Sequence, residues 1–512
     1  MKTTTNPLAT LFVLLAMSAS AAVRYVDVNN ANPAPPCATW ATAATNIQDA
    51  IDLAADGDEI VVTNGVYRTG GRVADGAMTN RVAVNKPLTL RSVNGPGVTV
   101  IEGYKDPGDP FSLNAVRCVY LSNGASLLGF TLTNGATQPY ERGGGVRCAS
   151  ATDIVSNSVL TGNSAYSGGG AYGGTLKFCT VSSNEAWRGG GAFDSALNNC
   201  TLSGNAAPVG GGTYGGTLNN CMVSSNSASR GGGAASCGDC LPLAMLNNCI
   251  LIGNTAGEGG GAWASQLNNC TLVGNEALNS GGGAAYGCLF NCIAYDNTAP
   301  IGANYFFEPR FGYCLAYSCT IPLPPVGEGN FTNAPVFVHQ AGGNLRLQTN
   351  SPCINSGLNF YAPSVFDLDG FPRVAGGTVD VGAYEFQSPQ SVISYAWLQQ
   401  YSLPTDGSAD FTDSDGDGMT NRQEWRAGTE PTNALSVLRL LTPVPVGSDF
   451  VLRWESVPGR YYFLERSTNL TQLPPFLPLA SGIIGQYQSG TTTYTETNGA
   501  GRGPYFYRVG VE

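Results

Sequence analysis

The sequence predicts an all-β fold built around a parallel solenoid, and three observations carry that prediction. The triplet Gly-Gly-Gly begins at residues 143, 168, 189, 210, 231, 259 and 281, so one unit recurs at steps of 25, 21, 21, 21, 28 and 22 residues. A period of that size marks a repeat array whose units stack on one another. Each unit alternates apolar and polar positions, as at Cys200 and Leu202, and then breaks at Gly-Asn. Period two with such breaks asks for short strands and tight turns. Cysteine and asparagine recur in step with the glycines. Strands rise about 3.3 Å per residue, so a unit of this length returns above its own start as one coil of a parallel β-helix.

Composition bounds the partners. The 512 residues carry 25 Lys and Arg against 36 Asp and Glu, a net charge of -11, with no basic run along the chain. That balance excludes nucleic acid as a partner. The length calls for several units, one of them elongated and free of the usual limit on a single core.

In chain order, residues 1–21 pair Lys2 with the apolar run Leu8 to Met17 and end in Ala19-Ser20-Ala21, the pattern of a secretory signal removed at maturity. No later segment is apolar for long enough to span a membrane as a helix. The expected location is therefore secreted, extracellular or at the cell surface. Residues 22–320 are assigned to the solenoid. Ile47, Ala50, Ile51 and Ala54 mark one face of a helix that would cover its open first coil.

Asp56-Gly-Asp-Glu-Ile-Val-Val-Thr-Asn-Gly-Val-Tyr67, Lys86 to Ile101 and Gly129-Phe-Thr-Leu-Thr-Asn134 resemble the opening coils of secreted bacterial right-handed parallel β-helix proteins of the pectate-lyase-like superfamily. The resemblance implies a right-handed, single-stranded β-helix over the first 320 residues or so, and it includes polysaccharide lyases and hydrolases among its activities.

Within the repeats, Cys179, Cys200, Cys221, Cys249, Cys270, Cys292 and Cys314 fall at near-regular steps, with Ser158 in their place one coil earlier. They read as a ladder of small buried residues along one wall. Cys237-Gly-Asp-Cys240, in the excess of the 28-residue step, reads as a local disulfide ahead of a metal site, since four ligands are not assembled. Asn163, Asn184, Asn205, Asn226, Asn254, Asn275 and Asn297 form a second column. Asparagine tolerates the left-handed conformation and bonds to a like neighbour, so a stacked turn ladder is expected.

The residue after each inward alanine gives Tyr172, Phe193, Tyr214, Ala235, Trp263 and Ala285, an outward aromatic column. Exposed rings stack on sugars, and cross-coil aromatic packing explains the same residues without a ligand. Tyr172, Phe193, Tyr214 and Trp263 are the candidate glycan contacts. Arg142, Ser167, Arg188, Val209, Arg230, Glu258 and Ser280 precede the triplets, and Arg230 and Glu258, one coil apart, are expected to pair on the surface.

After the repeats, Asn344 to Gly357, Phe366-Asp-Leu-Asp-Gly-Phe-Pro-Arg373 and Thr378-Val-Asp-Val-Gly-Ala-Tyr-Glu385 resemble the choice-of-anchor Q module that follows many bacterial β-helices. That resemblance implies a closing unit, residues 321–390, over the far end of the solenoid. Within 391–435, Asp413-Ser-Asp415-Gly-Asp417-Gly418-Met419-Thr-Asn421-Arg-Gln-Glu424 fits the twelve-residue EF-hand loop. Asp413, Asp415 and Asp417 supply oxygens, Gly418 permits the turn, Met419 offers its carbonyl, Asn421 acts through water and Glu424 closes the shell, with Ca2+ as the expected ion. With Gly428 to Asn433 following, the segment resembles thrombospondin type 3 and dockerin-like calcium repeats, where the ion is structural. Residues 436–512 alternate as antiparallel strands at Phe450–Trp454, Tyr461–Ser467, Thr491–Thr495 and Tyr505–Val511, and resemble a fibronectin type III-like sandwich.

Catalysis finds little support in the regular wall. Glycoside hydrolysis needs paired carboxylates, and no acid of the repeats has a second acid one coil away; Asp194, for instance, lies between Gly173 and Gly215. The single histidine, His339, lies outside the repeats. Irregular loops are where a catalytic site would assemble, particularly those near the first coils, where Arg68, Arg72, Asp75, Arg81, Lys105, Asp106 and Asp109 accumulate. The expected function is thus an exported, calcium-stabilised, non-catalytic solenoid for adhesion or contact with an extracellular glycan or surface protein. The alternative is a polysaccharide lyase or glycoside hydrolase.

Overall fold

One coil shows how the repeat folds. In a computed structural model that describes residues 21–74, 76–109, 112–237, 243–307, 314–486, 490–499 and 503–512, the unit beginning at Thr175 makes four short strands. These are Thr175–Lys177, Thr180–Ser182, Glu185–Arg188 and Ala192–Phe193. Leu176, Val181, Ala186 and Ala192 turn inward and are buried, as period two requires. Phe178, Ser183 and Asp194 take left-handed backbone at three corners, with φ of 54°, 54° and 47°. Gly189-Gly190-Gly191 makes the fourth.

Stacking these units builds parallel sheets of twelve, eleven and eleven strands plus a shorter one of six. Among the described residues of the solenoid, antiparallel pairing is found in the small hairpin of Arg72–Val73 with Thr79–Val84 and in a single bridge between Tyr104 and Val116. Leu176, Leu197, Leu218, Leu246, Leu267, Leu289 and Leu315 form one continuous buried column. The triplet glycines stand where coils approach most closely. A Cβ on Gly190 would lie 2.4 Å from the Ala206 carbonyl oxygen and 2.6 Å from that of Gly211, so no other residue fits.

Helix α1, Ile47–Leu53, covers the first coil with Ile47, Ala50 and Ile51 buried. Its Gln48 amide donates to the Ala83 carbonyl at 3.2 Å and accepts the Ala83 N–H at 2.8 Å, answering a strand edge as another strand would. Lys86 Nζ donates to the Ile51 and Ala54 carbonyls at 3.0 and 2.6 Å and so closes the helix C-terminus.

Both columns read from the sequence exist, each with a correction. The cysteine ladder runs from Cys179 to Cys292, and its next place is taken by Ser318, whose Oγ accepts the Cys292 N–H at 3.1 Å. Cys314 belongs to another column, because the last coil is longer and Leu289 pairs with Leu315. The asparagine ladder is continuous: each Nδ2 donates to the next Oδ1 at 2.9–3.1 Å from Asn163 through Asn297 to Asn304. These asparagines point inward and are buried. The left-handed residue is the one before each of them, such as Ser183 or Gly204.

The closing unit lies along the flank of the solenoid. Asn269 Nδ2 donates to the Asp380 carbonyl at 3.0 Å, and Asn291 exchanges both amide bonds with Leu358 at 2.9 and 2.8 Å. Ile250, Val273 and Ile293, outward residues of three successive coils, form a shared core with Leu345, Ile354, Val381 and Tyr384. The unit also meets the last coil, where the Tyr317 N–H donates to the Glu328 carbonyl at 2.7 Å and the Thr320 N–H to that of Phe331 at 3.0 Å. What the expectation of a cap over the far end did not include is the flank, whose outward face turns apolar at Ile250 and is buried by the same unit.

Beyond it, α2 (Tyr395–Gln400) and α3 (Asn421–Ala427) flank an acidic loop. The chain ends in two three-stranded antiparallel sheets packed around Leu452, Trp454, Tyr462 and Leu464. Among the described residues no helix is long and apolar enough to cross a membrane. The expected signal lies outside the described residues but for Ala21. Cys237 is disulfide-bonded, while Cys240, its expected partner, lies outside them.

Candidate functional site

Two places gather functional side chains: a strip on the outer wall and the acidic loop before α3. The strip follows from strand register. Tyr172 pairs with Phe193, Phe193 with Tyr214, Tyr214 with Ala235 and Ala235 with Trp263, so the aromatic column is real. Its rings pack on one another: Tyr172 and Phe193 lie 5.3 Å apart at 13°, Phe193 and Tyr214 5.0 Å apart at 14°. Their faces are thus occupied within the stack, and their edges and flanking residues meet solvent.

Sequence reasoning overlooked the neighbouring arginines as part of this strip. Arg142, Arg188 and Arg230 alternate with Ser167 and Val209 in the adjacent column. Each leans onto the ring of the following coil, with Arg142 4.9 Å from Tyr172, Arg188 5.7 Å from Tyr214 and Arg230 5.3 Å from Trp263. Arg142 also donates to the Tyr172 hydroxyl at 2.7 Å. The expected pair of Arg230 with Glu258 forms at 3.6 Å. The signal was present as a two-coil period in the residues before the triplets.

The acids of this wall stay separate. Asp153 is buried and accepts the N–H groups of Gly124 and Ser150, Glu258 faces Arg230, and burial raises the Asp194 carboxyl above its usual range against the pull of Arg142. In the irregular loops Arg72 pairs with Asp52, Arg81 donates to the Glu102 carbonyl, Lys105 to Ser164 at 2.5 Å, and Asp106 accepts the Gly108 N–H in its own turn. Each is bound to a different part of the frame, and Asp75 lies outside the described residues. His339 is exposed on a short strand.

The acidic loop is organised from its backbone outward. Asp413 accepts the N–H groups of Gly416 and Gly418 at 2.7 and 2.9 Å, Asp415 that of Asp417 at 3.2 Å, and Asp417 that of Met419 at 2.7 Å. Helix α3 starts from a Thr420–Gln423 capping box and ends on left-handed Gly428. This presents Asn421 and Glu424 to the loop, both fully buried. Asp413, Asp415 and Asp417 bring carboxylate oxygens within 4.8 Å of one another. Asp415 Oδ2, Asp417 Oδ2, Asn421 Oδ1 and both oxygens of Glu424 are buried without a hydrogen-bond partner. Burial, then Asp415, Asp417 and Asp413, push the Glu424 carboxyl up to about 7, whereas the Gly418 N–H and the other loop amides hold Asp413 below the usual carboxylate range. A buried carboxylate without a partner costs several kcal/mol. A set of converging hard oxygens is the donor chemistry a divalent cation takes, so these residues fit such an ion.

A cleft of about 740 Å³ opens where the solenoid end, the closing unit and the C-terminal sandwich meet, lined by Tyr317, Phe331, Trp397, Arg422, Trp425 and Arg460 among others. Its residues come from distant parts of the chain, so no local motif announces it.

No protein-family profile matches the chain, and no curated protein does. Among solved structures it is similar to pectate lyase Pel9A, with a TM-score of 0.45 and 13% identity over 72% of this chain and 97% of that one. A rhamnogalacturonan lyase gives 0.36 and 12%, covering 64% and 95%. Pectin methylesterase PemA from Erwinia chrysanthemi gives 0.28 and 9%, covering 62% and 94%. These are likenesses of outline alone. The stacked parallel sheets establish a parallel β-helix on their own geometry.

Proposed function

We propose that this chain is an exported, non-catalytic β-solenoid of a bacterial cell surface or matrix, making adhesive or glycan contact along its outer strip. On this reading residues 1–21 are a cleaved signal, 22–320 the solenoid, 321–390 a choice-of-anchor Q-like closing module, 391–435 a calcium module and 436–512 a fibronectin type III-like sandwich. The observation that carries the contact reading is the pinning of Arg142, Arg188 and Arg230 on the aromatic column. A guanidinium stacked on a ring loses less freedom on binding. Arg142 gives one N–H to the Tyr172 hydroxyl and Arg230 turns its Nε toward Glu258, and the remaining N–H groups would meet a ligand oxygen. Tyr172, Phe193, Tyr214 and Trp263 then serve as the support and supply edge contacts.

Calcium is proposed at Asp413, Asp415, Asp417, Met419, Asn421 and Glu424. Its support is the five buried oxygens without partners, and its role is to rigidify the join between the closing unit and the sandwich.

The test is binding to arrayed acidic and neutral glycans, and to whole cells, by the wild-type chain and by Arg142→Ala/Arg188→Ala/Arg230→Ala. A loss of at least tenfold in affinity with an unchanged melting temperature is expected. Parallel incubations, with and without EDTA, are screened by mass for shortened or unsaturated products. Cleavage of any glycan would overturn the non-catalytic reading, and unchanged binding by the triple variant would overturn the strip.

A further inference from the structure

Thirteen cysteines of the described residues are free thiols, and eleven of them are buried; the two that reach the surface are Cys288 and Cys314. They occupy the same outward column on the last two strands of the twelve-stranded sheet. Leu289 pairs with Leu315 and Phe290 with Ala316, and the Leu289 N–H donates to the Cys314 carbonyl at 2.8 Å. Neighbouring parallel strands lie about 4.8 Å apart, within the span of about 4.4–6.8 Å between Cα atoms that a disulfide bridges. The ladder cysteines offer no such opportunity: their Sγ atoms are buried, as at Cys200, whose Sγ accepts the Cys179 N–H and lies against the Leu176 and Asn198 carbonyl oxygens, and they are shut away from any oxidant.

We propose that Cys288 and Cys314 are an oxidisable pair whose disulfide clasps the final coil to the one before it. With oxidised glutathione as the oxidant, the thiolate of one cysteine attacks a glutathione sulfur and expels glutathione thiolate. The second cysteine, as thiolate, then attacks the mixed disulfide and expels the other. Two electrons pass to glutathione, and the two protons released by the cysteines end on the glutathione thiols.

The clasp lies beside the join to the closing unit. Phe290 stacks on Tyr361 at 4.3 Å and 14°, and Tyr317 meets the same ring at 6.5 Å. Phe290 is two residues from Cys288 and Tyr317 three from Cys314, so the bond ties together the two strands that hold Tyr361. Within this sheet the stacking is thinnest here, since this strand pair shares two register partners where earlier pairs of the sheet share three or four.

The purified full-length chain, reduced and then exposed to oxidised glutathione without denaturant, tests the proposal. A non-reduced digest is expected to yield one linked peptide pair containing Cys288 and Cys314, lighter by two hydrogens than the sum of the free peptides. Under the same conditions Cys179, Cys200, Cys221, Cys249, Cys270 and Cys292 should remain thiols that alkylate only after denaturation. Cys314→Ser should leave Cys288 open to native alkylation, and proteolysis within residues 335–390 should be faster for the reduced chain. Recovery of Cys288 and Cys314 as separate alkylated or glutathionylated peptides, or linked to other cysteines, would overturn it. This outcome is independent of glycan binding, so failure of either proposal is recognisable.

Discussion

Replacing Asn226 by alanine examines the internal ladder most directly. The side chain is fully buried. Its Nδ2 donates to the Leu202 carbonyl at 3.0 Å and to Asn254 Oδ1 at 2.9 Å, while its Oδ1 accepts from Asn205 N and Nδ2, both at 2.9 Å. Alanine removes all four bonds, each contributing about 1 kcal/mol net, and strands the Asn205 N–H. A local loss of about 4 kcal/mol follows, which is roughly a thousandfold in the opening equilibrium at 1.4 kcal/mol per decade. Native-state hydrogen exchange reads this at the Asn205 amide and its neighbours in the coil. Asn226→Asp should be worse than alanine at neutral pH. It keeps an acceptor for Asn205 but sets a second carboxylate oxygen against the Leu202 and Asn254 oxygens, in a site that water cannot reach. An Asn205 amide slowed or speeded by less than tenfold in Asn226→Ala, or a milder effect of aspartate, would refute the reasoning.

Four further outcomes are expected. Gly190→Ala, forced against two carbonyl oxygens, should cost about 2 kcal/mol or more. Gly204→Ala, whose added Cβ has Ser183 Oγ 3.8 Å away as its neighbour at a φ of +63°, should cost only the left-handed penalty of about 1–2 kcal/mol; urea unfolding compares the two. Asp413→Ala with Glu424→Ala should abolish the calcium-dependent rise in melting temperature, and an unchanged rise would remove calcium from the loop. In EDTA the Glu424 carboxyl, raised to about 7 from about 4.3 in an unfolded chain, contributes stability that is full below the lower value and is lost as pH rises through the upper. The melting temperature with EDTA should therefore fall from about pH 4 to about pH 7 and level off above that, and calcium should restore it. Asn291→Ala, losing both bonds to Leu358 and one to Asn269 on the preceding coil, should speed proteolysis of residues 335–390.

How far the sequence could be read depended on whether a feature was local to one coil. The triplets, the inward leucines and the asparagine column announce themselves because every coil repeats them under the same steric demand. Cys314 was misplaced because it lies 22 residues after Cys292, a step that imitates the period, whereas the true successor is Ser318 beyond an enlarged last coil. The flank contact was written in the change from Thr201 and Met222 to Ile250, Thr271 and Ile293 at one outward position, but β-branched residues suit any strand and do not say what covers them. The calcium-type loop was legible as spacing. The depth of Glu424 and the unsatisfied oxygens were not, because they depend on how α3 packs. The arginines were read for pairing along their own column, while their rings belong to the next coil of the other one.

The asparagine ladder has one more consequence. Every coil presents the same donors upward and the same acceptors downward, in one direction from Asn163 to Asn304. Cutting out residues 184–204 brings together two surfaces that already match, and copying them inserts a surface that fits both neighbours. The length of the rod is therefore an inheritable variable, adjustable by unequal exchange in increments of one coil, about 4.8 Å. Genes for such rods can lengthen or shorten them without first passing through a misfolded intermediate.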